Sequence, residues 1–181
     1  MKVSGYLIAS DHHEIFFDQY KAGHKKVIII AHGFFNSKQA VVLKRLAESL
    51  NNEYDCLLFD FRGHGQSKGS FTWTAKEYLD LLSIVGFASH SYESIGLIGF
   101  SLGAATSIIA SSKTSLIKSI VAISAPVELG KIDYRFWKLN VIKDMLHRTH
   151  YADKDELLIH PDPNIIFPYD ASNLENDQLE K

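Results

Sequence analysis

The chain has very little cysteine, and this excludes stabilisation by disulfide bonds within it. Cys56 is the only cysteine among 181 residues, so no disulfide can form within the chain and no multi-thiolate metal site can be built. It lies in the apolar run Cys56–Phe59, which indicates a buried thiol that behaves as a small hydrophobic side chain.

Long apolar runs and clusters of basic residues are missing too. No stretch approaches the roughly 20 apolar residues that a membrane-spanning helix needs, and Met1–Tyr6 carries no signal-peptide pattern. Lys and Arg number 19 against 21 Asp and Glu, with no basic stripe of the kind that binds nucleic acid. We therefore expect a cytoplasmic protein with neither a membrane nor a nucleic-acid partner.

Motifs that bind metals or phosphates are also absent. His12 and His13 form an isolated pair in a predicted turn, which is not a metal-binding cluster. The sequence has no G-x-x-x-x-G-K-[ST] stretch to hold a phosphate. We expect no metal ion and no cofactor.

The sequence does contain an alternation of strand and helix patterns, and apolar residues make up 46% of it. Two period-two segments between Val3 and Tyr20 predict an edge hairpin. Further strands are predicted at 27–31, 56–59, 95–98 and 117–123, with helices at 37–50 and 74–88 and a loop at 60–70 between them. This order predicts a mostly parallel α/β sheet with an N-terminal antiparallel hairpin and helices on both faces.

The first predicted helix, Ser37–Leu50, is amphipathic. Its two faces are predicted as an apolar stripe of Val41, Val42, Leu46 and Leu50 and a solvent face of Lys38, Lys44, Arg45 and Glu48.

The sequence from Gly99 to Gly103 reads G-F-S-L-G. A buried strand precedes it and a helix of small residues follows, which is the context of a nucleophile elbow. In such an elbow Ser101 lies on a strained turn above the strand ends, near the positive end of a helix dipole. Gly99 and Gly103 leave room for the crowded backbone. We therefore predict Ser101 as a catalytic nucleophile.

Two further segments follow buried strands. His32-Gly33-Phe34 comes after the strand at 27–31, and an acyl-transfer site needs N–H donors for its oxyanion. We assign this role to the backbone N–H groups of Phe34 and Leu102 and expect the His32 side chain to brace its loop. The stretch Asp60–Ser67 follows the next strand, and it is interpreted as a scaffold loop or as a wall of the site.

Together these segments resemble the α/β-hydrolase superfamily. HGF resembles its oxyanion loop, DFRGHGQS resembles its D-x-R-G-x-G-x-S stretch, and GFSLG resembles its nucleophile elbow. The likeness covers about residues 3–127 and is greatest to small bacterial hydrolases of the serine aminopeptidase-like and esterase-like kind. It implies a triad in the order serine, acid, histidine.

The rest of that triad is harder to place. His160 ends a predicted strand at 156–160 and Asp162 follows it, and these two are the candidate base and acid, with Glu128 or Asp133 as other candidate acids. No later segment resembles the family's last strand and histidine loop, so we expect an α/β-hydrolase fold that lacks its last strand or strands. The sheet edge left open would favour a partner chain or a homo-oligomer.

Three regions follow from this reading. We predict a core at 1–127, a region at 128–160 and an irregular acidic tail at 161–181. The middle region holds a helix at 132–151, interpreted as a lid or as a crossover helix, and one further strand.

Two functions remain. The first is a serine hydrolase that cleaves a small-molecule carboxylic ester or amide through an acyl-enzyme on Ser101. The second is an inactive remnant, or one half of a split hydrolase that needs a partner chain for its histidine and acid.

Overall fold

The computed structural model describes residues 1–34, 36–72 and 74–126. In chain order the elements are β1 (Lys2–Ile8), β2 (Glu14–Tyr20), β3 (Lys26–Ala31), α1 (Val41–Leu50), β4 (Asp55–Phe59), α2 (Glu77–Ser89), β5 (Ser94–Phe100), α3 (Leu102–Ser111) and β6 (Ile117–Ile123). The six strands predicted before residue 127 are all present. The predicted regions 128–160 and 161–181 lie outside the described residues.

The described strands form one sheet in the order β1-β2-β4-β3-β5-β6. β1 and β2 pair antiparallel and β2 joins β4 antiparallel, whereas β4, β3, β5 and β6 run parallel. The predicted edge hairpin and mostly parallel sheet are therefore confirmed. Because parallel strands end at the same edge, the loops after β3, β4, β5 and β6 gather there.

Helices cover both faces of the sheet, because its central strands are apolar on both sides. One face packs Ile30 and Leu58 against Leu43 and Ala47 of α1. The other face packs the alternate strand positions against α2 and, at Ala110, against α3. β6 is less well covered, and Val121 and Ile123 are exposed.

The first helix begins later than the sequence predicts. α1 starts at Val41, because residues 37–40 form a separate turn in which the Ala40 N–H donates to the Ser37 carbonyl at 3.1 Å. The predicted stripe is wrong for Val41 and Val42, which are 49% and 65% exposed. Leu43 and Ala47, four residues apart, form the buried face instead.

The second helix also begins late, at Glu77 and not at the predicted Thr74. Thr74 has a φ of 72°, which a right-handed helix does not allow. Among the described residues, no helix has the length and apolar character required to cross a membrane.

Candidate functional site

Ser101 lies at the turn between the end of β5 at Phe100 and the start of α3 at Leu102. Its backbone has φ 50° and ψ −114°, a conformation that few non-glycine residues adopt. The residue is exposed although its neighbours in α3 are buried. A strained, exposed serine at a helix start is what the sequence predicts for this motif.

The glycines on either side allow this turn because side chains there would overlap backbone. A Cβ on Gly99 would lie 2.5 Å from the Gly103 carbonyl oxygen and 2.6 Å from the Ala104 Cα. A Cβ on Gly103 would overlap the carbonyl oxygens of Ala31 and His32. Gly103 therefore lets the first turn of α3 lie directly against the end of β3.

Backbone hydrogen bonds fix the Ser101 peptide from two sides. Its N–H donates to the Ile123 carbonyl oxygen of β6 at 2.8 Å, and its own carbonyl accepts from the Ala104 N–H at 2.9 Å. Neither bond uses the side chain. The hydroxyl therefore projects from a rigid backbone at the positive end of the α3 dipole.

The loop after β3 lies directly against Ser101. A Cβ on Gly33 would be 3.2 Å from the Phe100 carbonyl oxygen and 3.4 Å from the Ser101 Cβ. The absence of a side chain at Gly33 permits this approach. The predicted oxyanion donors, the N–H groups of Phe34 and Leu102, thus belong to two backbone segments that flank Ser101.

His32 braces this loop, as the sequence predicts. The ring is fully buried, with Nδ1 at 2.7 Å from the Gly33 carbonyl oxygen and Nε2 accepting from the Phe61 N–H at 3.0 Å. Burial lowers its pKa to about 4, so the ring is neutral at pH 7. With both nitrogens bonded, His32 is not available as a base for Ser101.

The loop after β4 is organised around the buried Asp60. Its carboxylate accepts from the Lys38 N–H at 2.7 Å, the Lys38 ammonium at 2.8 Å and the Gln66 N–H at 3.0 Å. A Cβ on Gly65, where φ is 51°, would overlap this carboxylate. Of the two interpretations of Asp60–Ser67, these contacts support the scaffold.

Lys38 is the clearest error in the predicted solvent face of the first helix. It precedes α1 and is 2% exposed, because its ammonium is needed opposite Asp60 inside the loop. Hydrophobic periodicity carries no signal for this position. A lysine in a turn gives no indication of which carboxylate it will meet.

Arg62 crosslinks three segments of the chain. Its guanidinium pairs with Asp80 of α2 at 2.6 Å and with Asp11 of the β1–β2 turn at 2.6 Å. Burial opposes the ionisation of Asp11, but the Arg62 hydrogen bond and charge outweigh it and lower the Asp11 pKa. Sequence reasoning missed Asp80, although an aspartate on the buried stripe of an otherwise apolar helix was the available signal.

His64 and Glu77 are the other perturbed groups near this loop. Burial lowers the pKa of His64 to about 3, with a smaller contribution from His32. Burial raises the pKa of Glu77 to about 7, although its carboxylate accepts from the Thr72 N–H at 2.6 Å and the Thr72 hydroxyl at 2.8 Å. Both groups support the segment that leads from the loop into α2.

The candidate base and acid lie outside the described residues. This applies to His160 and Asp162, to the other candidate acids Glu128 and Asp133, and to the predicted helix at 132–151. Within residues 1–34, 36–72 and 74–126, no group of three or more His, Cys, Asp or Glu side chains is placed to hold a metal ion.

Two solved structures with a similar fold have chains about twice as long as the part that this chain covers. An esterase of Pyrococcus furiosus is 32% identical, with a TM-score of 0.68 over 72% of this chain and 53% of that chain. The α/β hydrolase GrgF of Penicillium sp. sh18 is 17% identical, with a TM-score of 0.67 over 82% of this chain and 54% of that one, a likeness of fold alone.

A curated relative and a family model agree with these structures. Ethanol acetyltransferase 1 of Cyberlindnera jadinii is 29% identical over 150 residues, which cover 77% of this chain and 43% of that protein. The chain thus spans about half the length, or less, of these relatives. The family model of the alpha/beta hydrolase fold matches residues 26–142, and the chain belongs to this family of enzymes.

Proposed function

We propose that Ser101 is the nucleophile of an acyl-transfer site that cleaves a small-molecule carboxylic ester or amide. The observation that carries this proposal is the conformation of Ser101, an exposed residue at φ 50° whose backbone is fixed by β6 and α3. Such strain persists where the surrounding structure imposes it, and it concentrates at catalytic residues.

In the proposed reaction the Ser101 Oγ attacks the substrate carbonyl carbon and its proton passes to a general base. The developing oxyanion accepts hydrogen bonds from the N–H groups of Phe34 and Leu102. Collapse expels the alcohol or amine, which takes the proton from the base, and water then hydrolyses the acyl-enzyme. His160 is the proposed base and Asp162 its proposed orienting acid.

Labelling with a fluorophosphonate probe tests this assignment. The probe should attach to Ser101, identified by peptide mapping, and Ser101→Ala should abolish the label. Ser124→Ala is the matched control, because Ser124 follows β6 and also has a positive φ, 54°. A folded protein that takes up no label, or takes it up at Ser124, contradicts the proposal.

Hydrolysis of p-nitrophenyl acetate distinguishes an enzyme from an inactive remnant or half-enzyme. Turnover that Ser101→Ala abolishes supports a complete catalytic site. Turnover no greater than that of Ser101→Ala supports the second function, an inactive remnant or a half-enzyme whose partner chain supplies the base and acid.

A second candidate reaction is acyl transfer to an alcohol, because the chain is similar to an ethanol acetyltransferase. Here the alcohol oxygen attacks the acyl-enzyme in place of water, and the alcohol proton passes through the base to Ser101. Ethyl acetate formed from p-nitrophenyl acetate and ethanol, measured by gas chromatography, separates the two reactions. If acetate is the sole product that contains the acetyl group, the enzyme catalyses hydrolysis and not transfer to ethanol.

A further inference from the structure

The His32 ring can satisfy both of its hydrogen bonds in one tautomer only. The Phe61 N–H is a donor at 3.0 Å from Nε2, so Nε2 must be the acceptor. The proton then resides on Nδ1, which donates to the Gly33 carbonyl oxygen at 2.7 Å. The hydrogen bond from Phe61 therefore fixes the tautomer in which Nδ1 carries the proton that is donated to Gly33.

The bond to Gly33 also fixes the orientation of the next N–H group. The peptide between Gly33 and Phe34 is trans, and in a planar trans peptide the C=O and N–H point in opposite directions. His32 holds the carbonyl towards its own buried ring. The Phe34 N–H therefore points away from that ring, while Gly33 itself lies against Ser101.

The Phe34 side chain supplies a second anchor for the same peptide. Its ring stacks on Phe71, with centroids 4.9 Å apart and an angle of 22°. It also meets the edge of the His64 ring at 5.9 Å, and His64 in turn contacts His32 at 5.1 Å. Rotation of the peptide would break the His32 bond and move Phe34 off its aromatic neighbours.

We propose that His32 is a positioning residue for catalysis, which directs the Phe34 N–H at the oxyanion through the Nδ1–H bond to the Gly33 carbonyl. This inference rests on the proposed function, because the oxyanion forms only if Ser101 attacks a carbonyl. His32 touches neither the substrate nor the reacting atoms. It affects the rate only by orienting the peptide between Gly33 and Phe34.

The tautomer can be measured without any activity. In the folded wild-type protein labelled with ¹⁵N-histidine, the His32 Nδ1 should resonate as a protonated nitrogen and Nε2 as an unprotonated one at pH 7. The signal is assigned by its loss in His32→Gln. An Nε2–H tautomer would overturn the inference whatever the enzyme does.

Two variants separate the bond to Gly33 from the bond to Phe61. Counted in bonds from Cα, the Asn amide nitrogen occupies the place of Nδ1, whereas the Gln amide reaches the place of Nε2. His32→Asn keeps a donor for Gly33 and loses the acceptor for Phe61, and His32→Gln does the opposite. A purely structural role predicts that both variants lose activity in proportion to their stability.

With p-nitrophenyl acetate, we expect His32→Gln to lower kcat about 100-fold with little change in KM, as for the loss of one oxyanion donor. His32→Asn should stay within about tenfold of wild type even where its melting temperature is the lower of the two. A His32→Gln enzyme with wild-type kcat would overturn the inference alone. Wild-type turnover that survives Ser101→Ala would overturn the proposed function, and the catalytic role of His32 with it.

Discussion

The backbone of Ser101 adopts an energetically unfavourable conformation. Its φ of 50° places an L-residue in a region that costs about 1–3 kcal/mol. The cost is imposed by neighbours, since the Ile123 carbonyl and the first turn of α3 both hold the Ser101 backbone. The hydroxyl and the strain are therefore separable, because the strain belongs to the backbone of any residue with a Cβ.

Replacing Ser101 by glycine should therefore yield a more stable protein than replacing it by alanine. Both variants lack the hydroxyl and should be unlabelled by a fluorophosphonate. Only glycine relieves the strain, which should raise the free energy of unfolding by about 1 kcal/mol relative to Ser101→Ala, after allowance for the flexible unfolded chain. Urea unfolding measures this difference, and a Ser101→Gly variant less stable than Ser101→Ala would show that the turn is unstrained.

Individual elements depend on close backbone contact at some positions and leave free space at others. Gly99 in β5 has the Gly103 carbonyl within 2.5 Å of a Cβ position, whereas Gly86 in α2 has no atom within 4 Å of one. A glycine-to-alanine substitution should therefore cause a steric clash at Gly99 and favour the helix at Gly86.

We expect Gly99→Ala to destabilise the protein by about 3 kcal/mol, because the methyl group must displace backbone at the elbow. Gly86→Ala should stabilise it by about 1 kcal/mol, the difference in helix propensity between the two residues. Thermal unfolding of both variants supplies the measurement. Equal effects of one sign would contradict the packing described around Gly99.

One buried ion pair, between Arg62 of the loop after β4 and Asp80, joins this loop to α2. Asp80→Asn should cost about 3 kcal/mol of unfolding free energy, because Arg62 would stay buried with its main carboxylate partner neutralised. Glu93→Gln, which weakens the exposed pair with Lys25, should leave the unfolding free energy unchanged within error. Urea midpoints compare the two, and a negligible effect of Asp80→Asn would argue against the buried pair.

The central strands were predictable from sequence because they contain short apolar runs, and the two strands of the hairpin were predictable from their alternation of polar and apolar residues. Val27–Ala31 and Cys56–Phe59 needed no partner to be recognised, and the elbow motif located Ser101. Helix starts were less predictable, since hydrophobic periodicity does not indicate the positive φ that Thr74 adopts. The pairing of Lys38 with Asp60 and of Asp80 with Arg62 joins residues about 20 positions apart through a three-dimensional loop, and no spacing rule encodes that.

The molecule as a whole carries buried titratable groups with opposing pH dependence. His32, with a pKa of about 4, binds a proton less readily folded than unfolded, so its contribution to stability is lost as the pH falls from about 6.5 to 4. Glu77, with a pKa of about 7, binds a proton more readily folded, so its contribution is lost as the pH rises from about 4.5 to 7.

Between pH 4.5 and 6.5 the two groups should therefore change the slope of unfolding free energy against pH in opposite directions. Glu77→Gln should make the slope more positive by up to about 1.4 kcal/mol per pH unit, and His32→Asn should make it less positive by a similar amount. Urea titrations at a series of pH values give these slopes. Parallel slopes in both variants and the wild type would contradict the described burial of the two side chains.

The strand order also has a consequence for synthesis on the ribosome. β3 is hydrogen-bonded only to strands made after it, β4 on one side and β5 on the other, and the hairpin of β1 and β2 joins the sheet through β4. The hairpin can close as soon as it emerges, whereas β3 must wait for its neighbours. Since the Ser101 N–H bonds to Ile123, a nascent chain arrested before β6 has emerged would contain the elbow sequence without the bond that holds it.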